Sequence, residues 1–428
     1  MEHINYRDGQ LCCEQVPVAD MIRRVGTPAY VYSSAELLGR FHDVQRAFAP
    51  LDATICFSIK SLSNIHLLTL LKDAGSGFDV VSGGELARAE AIGADPQRIV
   101  FAGVGKTDAE ISRALQAGIG VFNIESEAEF ENLSRLAAET GQKARAALRV
   151  NPDVYDPKTH QYTATGKKES KFGVDIERAE RFFATYGNDA RVVLDGIHIH
   201  IGSPIYSPEP YEQAIRRTLG LIDRLTAAGH VVRLLDIGGG FACDYEAGTA
   251  PGIDDYARAI VPLLAGKGLE VAIEPGRTIA ANAGVLLTTV LYMKAGPEKR
   301  FAIVDAAMTD LLRPALYEAE HLIYPARLPA GAAKPPMKLD YVPEGAVEVD
   351  VVGGVCESSD FLAKGRKLPP LSRGDLLAVF SAGAYGHVMS SQYNSRPRAP
   401  EVLVEGDQWR LIRRRESYDD LLTAERDV

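Results

Sequence analysis

Lys60 closes the apolar run Thr54-Ile55-Cys56-Phe57-Ser58-Ile59. A lysine at the inner end of a buried strand either reaches water or does chemistry that uses its amine, such as Schiff-base formation. His198-Ile199-His200 places two imidazoles on one face of a strand by the period of two, where they could ligate a metal or stack on a flat ligand. No third ligand appears at suggestive spacing, which disfavours the metal. Asp236-Ile237-Gly238-Gly239-Gly240-Phe241 puts bare backbone directly after a strand, as an anion cradle or a tight turn. It lacks both the Gly-x-Gly-x-x-Gly spacing and a Walker lysine. In Ile273-Glu274-Pro275-Gly276-Arg277, Gly276 and Arg277 can give backbone donors to the same anion while the Glu274 carboxylate faces a cation. The alternative is an ordinary strand-end turn with an ion pair.

These residues recur at the ends of short apolar runs. The runs are Ala53 to Ile59, Phe78 to Val81, Ile99 to Ala102, Val121 to Ile124, Ala146 to Val150, Gly196 to Ile201, Leu234 to Ile237 and Leu269 to Ile273. Amphipathic stretches separate them, among them Glu85 to Ile92, Asp108 to Ala117, and Ser126 to Ala138 with a predicted capping box between Ser126 and Glu129. Eight alternating units predict an α/β fold, a (β/α)8 TIM-type barrel rather than a doubly wound sheet. Chemistry then belongs at the C-terminal ends of the strands, where Lys60, Asp79, Arg149, His198, His200, the three glycines and Glu274 fall.

After about Ala280 the helical spacers stop. Gly284 to Met293, Arg300 to Val304, Val347 to Val352, Leu376 to Ser381 and Glu401 to Val404 read as a C-terminal, mainly antiparallel β domain. An N-terminal strand is expected to complete it, with Met1 to Pro17 as the candidate and Ala29 to Tyr32 as the entry to the barrel. The expected division is 1–30, 31–280 and 281–428.

A net charge of -10 argues against nucleic acid as a partner, and no apolar run approaches a membrane span. The start of the chain is polar, and the five cysteines, Cys12, Cys13, Cys56, Cys243 and Cys356, lack disulfide or zinc spacing. A cytoplasmic enzyme without membrane contact is expected.

A lysine, an anion cradle, a carboxylate for a ring nitrogen and a flat stacking group together describe a pyridoxal 5'-phosphate site. Phe78-Asp79-Val80-Val81-Ser82-Gly83-Gly84-Glu85, Ser170-Lys171-Phe172-Gly173, His198-Ile199-His200-Ile201-Gly202-Ser203 and Glu274-Pro275-Gly276-Arg277 resemble the barrel-type (fold type III) pyridoxal-phosphate decarboxylases. So do Arg313-Pro314-Ala315-Leu316-Tyr317, Cys356-Glu357-Ser358-Ser359-Asp360 and Ser381-Ala382-Gly383-Ala384-Tyr385-Gly386, and the resemblance covers nearly the whole chain.

The resemblance implies a role for each position. Lys60 carries the cofactor as a Schiff base, His200 stacks on its ring and Glu274 pairs with the ring nitrogen. Gly239, Gly240, Gly276, Arg277 and Ser203 bind the phosphate, with Tyr385 closing over it. Arg277, Arg313, Tyr317, Glu357 and Tyr385 bind substrate, and Cys356 reprotonates the carbanion. Cys356 and Glu357 come from the neighbouring subunit in such enzymes, so a homodimer with shared sites is implied. Gln161 to Lys171 is the expected lid.

The small-molecule substrate is an amino acid. Arg313 and Glu357 suit the carboxylate and ammonium at the distal end of meso-2,6-diaminopimelate, which would yield L-lysine and place the chain in lysine biosynthesis. Arg313 could instead form a surface ion pair. The alternatives are a decarboxylase of ornithine, lysine, arginine or carboxynorspermidine, or a non-catalytic cofactor-binding protein. Two positions depart from the pattern: Phe57-Ser58-Ile59-Lys60-Ser61-Leu62 replaces Tyr-Ala-x-Lys-Ala-Asn, and Pro204 replaces a Gln.

Overall fold

The computed structural model describes residues 1–159 and 171–426. They form two units, Phe41–Ala242 with Ala250–Thr278, and Met1–Arg40 with Cys243–Thr249 and Ile279–Val428. In the first, eight parallel strands follow one another around a closed ring: Thr54–Ser58, Gly77–Val80, Ile99–Phe101, Val121–Ile124, Ala144–Asn151, Val192–His198, Leu234–Asp236 and Glu270–Ile273. The last lies against the first, with Ala272 opposite Thr54 and Ile273 opposite Ile55. This is the expected barrel, each strand on one of the eight apolar runs.

Local sequence starts and stops the helices between strands. Asp108–Ala117 begins at Thr107, which takes the Glu110 N–H while Glu110 takes the Thr107 N–H, and ends at Gly118 with φ 67°. The box expected at Ser126 is only half formed. Ser126 accepts from the Glu129 N–H, but the Glu129 carboxylate accepts from the Glu125 N–H and pairs with Lys106, a buried ammonium that draws it away from the cap.

The barrel interior is built in layers. Cys56, Val100, Val121, Ala147, Leu234 and Ala272 form one buried apolar cluster contributed by six strands. Side chains two residues on share the same face. For five of these strands that next position is Ser58, Asn123, Arg149, Asp236 or Glu274, and on the other two strands of the barrel the residues two beyond Gly77 and Gly196 are Asp79 and His198. A polar layer therefore caps an apolar one at the C-terminal mouth, where such barrels carry their chemistry.

The second unit is a mixed, mainly antiparallel sheet in the order Phe361–Leu368, Val347–Val352, Arg300–Val304, Gly284–Ala295, Ala29–Ser33, Glu401–Glu405, Gln408–Arg413. Its parallel pairs are Arg300–Val304 with Val347–Val352, and Ala29–Ser33 with Glu401–Glu405. The N-terminal strand that completes this sheet is Ala29–Ser33, not a strand within Met1 to Pro17. All five residues of Ala29–Ser33 are buried, as an interior strand requires, whereas the shorter pieces Ile4–Arg7, Gln10–Cys13 and Val16–Pro17 pair with one another. Among the described residues no helix is long and apolar enough to cross a membrane. The cysteines are free thiols, and Cys356 is exposed while the other four are buried.

Candidate active site

Lys60 stands in the short 3-10 turn Ile59–Ser61 after the first strand, its side chain 30% exposed. Its Nζ lies 2.6 Å from Oδ2 of the buried Asp79, which also accepts from Ser58 Oγ at 2.6 Å. Burial, and then the Glu274 carboxylate, raise Asp79 above the usual carboxylate value, while Lys60 opposes the shift. The lysine thus meets a carboxylate from the second strand and is not a simply solvated strand end.

Glu274 follows the eighth strand and is buried. Asn123 Nδ2 donates to Oε1 at 3.2 Å, and His198 Nε2 lies 3.4 Å from Oε2. Burial alone would raise this carboxyl, but His198, Lys60 and His200 together hold it well below the usual range. Asp236 goes the other way: burial first, then Glu274, push it well above. The two neighbouring carboxyls are thus shifted in opposite directions, Glu274 towards its ionised form and Asp236 towards its protonated one. The Asp236 Oδ1 accepts from the Gly238 N–H at 2.8 Å, which ties the glycine loop to this pair.

Ligand-type atoms of His198, Asp236 and Glu274 all lie within 4.8 Å of one another. This group holds only one of the two histidines, with its other donors at the ends of the seventh and eighth strands. Of the two carboxyls Glu274 is the one shifted towards its ionised form, which suits it to face a single cationic ring nitrogen. His198 ends the sixth strand, and His200 stands two residues beyond it. Burial, then the cations Arg149 and Lys60, push the His200 imidazole well below its ordinary value, so it is neutral and flat.

The glycine loop is required by close approach. A Cβ on Gly239 would lie 2.0 Å from the Glu274 carbonyl oxygen, and one on Gly240, at φ 101°, would lie 2.1 Å from that of Gly202. Arg277 is buried and donates from Nε to Ser203 Oγ at 3.3 Å, bringing two of the anticipated phosphate contacts together. Pro204 follows through a cis peptide bond. These features fit pyridoxal phosphate: an amine at the mouth, an ionised carboxylate for the ring nitrogen, a neutral imidazole, and an anion cradle of glycines with an arginine.

The second unit carries the remaining residues. Arg313 is not a surface ion pair. It is 7% exposed, donates from Nη1 to His321 Nε2 at 2.8 Å, and lies over the Tyr245 ring at 4.5 Å. Tyr317 ends the same short helix, Arg313–Tyr317. Tyr385 takes φ 55°, a conformation uncommon for an aromatic residue. Cys356 and Glu357 lie exposed on one loop, where Glu357 accepts from Tyr393 OH at 2.5 Å and Ser359 Oγ at 2.9 Å. Those bonds hold its carboxyl below the usual value. The anticipated lid, Gln161 to Lys171, lies outside the described residues except for Lys171.

Asn123 and Glu125 had no part in the site as read from sequence, Asp236 entered only as the residue before the glycines, and Arg149, expected at a strand end, pairs with the buried Glu125 3.1 Å away. For Asn123 and Asp236 a signal was present. Each is the single polar residue in an otherwise apolar barrel run, and such a residue must find a partner inside.

Residues 34–281 match the family described as "Pyridoxal-dependent decarboxylase, pyridoxal binding domain". The diaminopimelate decarboxylase of Pseudomonas aeruginosa is 48% identical over 425 residues, 99% of each chain. A solved Helicobacter pylori diaminopimelate decarboxylase, complexed with L-lysine, superposes with a TM-score of 0.88 at 40% identity, covering 96% of this chain and 99% of that one. A solved M. jannaschii diaminopimelate decarboxylase in co-complex with L-lysine gives a TM-score of 0.91 at 32% identity, covering 99% of this chain and 98% of that one. The chain belongs to the pyridoxal-dependent decarboxylases and, within them, to the diaminopimelate decarboxylase family.

Proposed function

We propose that this chain decarboxylates meso-2,6-diaminopimelate to L-lysine. The observation that carries the reading is the full-length match to diaminopimelate decarboxylases, which coincides with a barrel mouth holding Lys60, an ionised Glu274 and the glycine cradle. Lys60 would hold the cofactor through its amine, Gly239, Gly240, Gly276, Arg277 and Ser203 would take its phosphate, His200 would stack on the ring and Glu274 would pair with the ring nitrogen. Pyridoxal phosphate, when bound, supplies an electron sink for the pair released as carbon dioxide leaves.

The protein chooses the bond and the fate of the carbon. Arg277, Tyr317 and Tyr385 fix the substrate, while Arg313 takes the distal carboxylate in a two-pronged contact and Glu357 the distal ammonium. Cys356 Sγ delivers its proton to the carbon that lost the carboxylate and regains one from water. Exposure of Cys356 in a chain whose other thiols are buried supports its being supplied to a second subunit, hence a homodimer with shared sites. We place the enzyme in the cytoplasm.

The test is product identification. Purified holoenzyme is offered meso-diaminopimelate, ornithine, lysine, arginine and carboxynorspermidine, with carbon dioxide and amine measured. L-Lysine formed from diaminopimelate alone is expected. Equal or faster turnover of ornithine or lysine would refute the substrate assignment.

A further inference from the structure

We propose that His321 is a positioning residue that locks the Arg313 guanidinium for the carboxylate at the distal end of the substrate. The inference rests on the reading of Arg313 given above and deepens it. His321 is fully buried, with Nδ1 2.8 Å from the Phe380 carbonyl oxygen and Nε2 2.8 Å from Arg313 Nη1. A carbonyl only accepts, so Nδ1 carries the hydrogen. A guanidinium only donates, so Nε2 offers its lone pair. One protonation state satisfies both contacts, the neutral ring with its hydrogen on Nδ1, and the backbone of Phe380 selects it.

Tyr245 completes the clamp. Its ring lies 4.5 Å from the Arg313 Cζ and meets the His321 ring nearly edge-on, at 5.3 Å and 87°. The guanidinium plane is held by the tyrosine face, and its rotation in that plane by the imidazole lone pair. A long, rotamer-rich side chain then reaches the substrate with its ordering cost already met, and two-pronged contact with a carboxylate demands that order. His321 is too deeply buried to be a recognition group itself. It acts through Arg313.

The test separates the Arg313 contact from simple core packing. In His321→Asn the shorter amide can still donate to the Phe380 carbonyl but does not reach Arg313, whereas in His321→Gln an amide oxygen reaches it. For the holoenzyme, His321→Asn is expected to raise KM for diaminopimelate about tenfold with kcat within roughly threefold, and His321→Gln to recover most of the loss. Inhibition constants give a second readout. L-Lysine keeps the distal α-carboxylate and 1,5-diaminopentane has none, so His321→Asn should weaken lysine by a similar factor and leave the diamine unchanged. Equal weakening of both inhibitors, or an unchanged KM in His321→Asn while Arg313→Ala raises it, overturns the role of His321. An unchanged KM in Arg313→Ala overturns the underlying reading of Arg313 instead.

Discussion

Asp236 is the sharpest place to test the electrostatics of the barrel mouth. Replacing it by Ala removes the acceptor of the Gly238 N–H, which lies 2.8 Å from Oδ1 in the interior. An unpaired buried N–H costs about 1–3 kcal/mol, and loss of the proton facing the Glu274 carboxylate costs about 1.5–3 kcal/mol more. Asp236→Ala should therefore destabilise the protein by about 2.5–6 kcal/mol at low pH, where the carboxyl is protonated in both states. Asp236→Asn keeps an oxygen for Gly238 and an N–H for Glu274, so it should cost less than about 1 kcal/mol at low pH and gain on the parent as pH rises, because it removes a carboxyl that burial keeps from ionising.

The pH dependence has a definite sign. Asp236 is raised, so its contribution is complete below its unfolded pKa and is lost as pH rises towards the folded one. Glu274 is depressed, so its contribution is complete above its unfolded pKa and is lost as pH falls. Urea denaturation from pH 5 to 9 measures both variants against the parent. Asp236→Asn should flatten the alkaline side of the profile without moving the acid side. If it proves as unstable as Asp236→Ala at every pH, or if its stability relative to the parent does not rise with pH, the opposite shifts of Asp236 and Glu274 are wrong.

Three other outcomes are expected. Burial, with Asp79 adding to it against the Val81 N–H bond, pushes Glu85 up to about 7 from 4.5. Its contribution is lost as pH rises through that interval, so Glu85→Gln should be of order 2 kcal/mol more stable than the parent at pH 8 and no different at pH 4, by denaturation at each pH. Lys106, whose Nζ serves the carbonyls of Gly103 and Asn123 and the Glu129 carboxylate, is almost wholly buried. Lys106→Met should cost about 3–5 kcal/mol by leaving Glu129 uncompensated, and adding Glu129→Leu should restore much of it; a double variant no better than the single would remove the buried charge as the cause. Co-refolding inactive Lys60→Ala with inactive Cys356→Ala should recover roughly a quarter of the parent activity if sites are shared across a dimer, and none if each site is complete in one chain.

The eight strands were legible because each is a short apolar run, buried on both faces and punctuated by polar turns. Lys60, the triple glycine and Glu274 were legible because each is chemically out of place at a strand end. The contribution of the N-terminal region was misplaced between Met1 to Pro17 and Ala29–Ser33. Strand propensity is local, whereas choice of partner is made by the sheet that accepts the strand. Ser126 and Glu129 show the same limit at smaller scale, since the spacing of a capping box cannot register a competing ammonium from Lys106.

What the sequence determined by itself is the alternation that closes a barrel and the set of reactive groups along one rim of it. Only the tertiary structure decided which of them meet. Lys60 pairs with Asp79 because the first and second strands are neighbours, and Glu274 is ionised because His198 comes from the sixth strand and Asn123 from the fourth. Charge state is a property of the assembled neighbourhood. Burial raises every carboxyl it touches, and the nearby cations and donors decide that Glu274 is shifted towards its ionised form while Asp236 is shifted towards its protonated one.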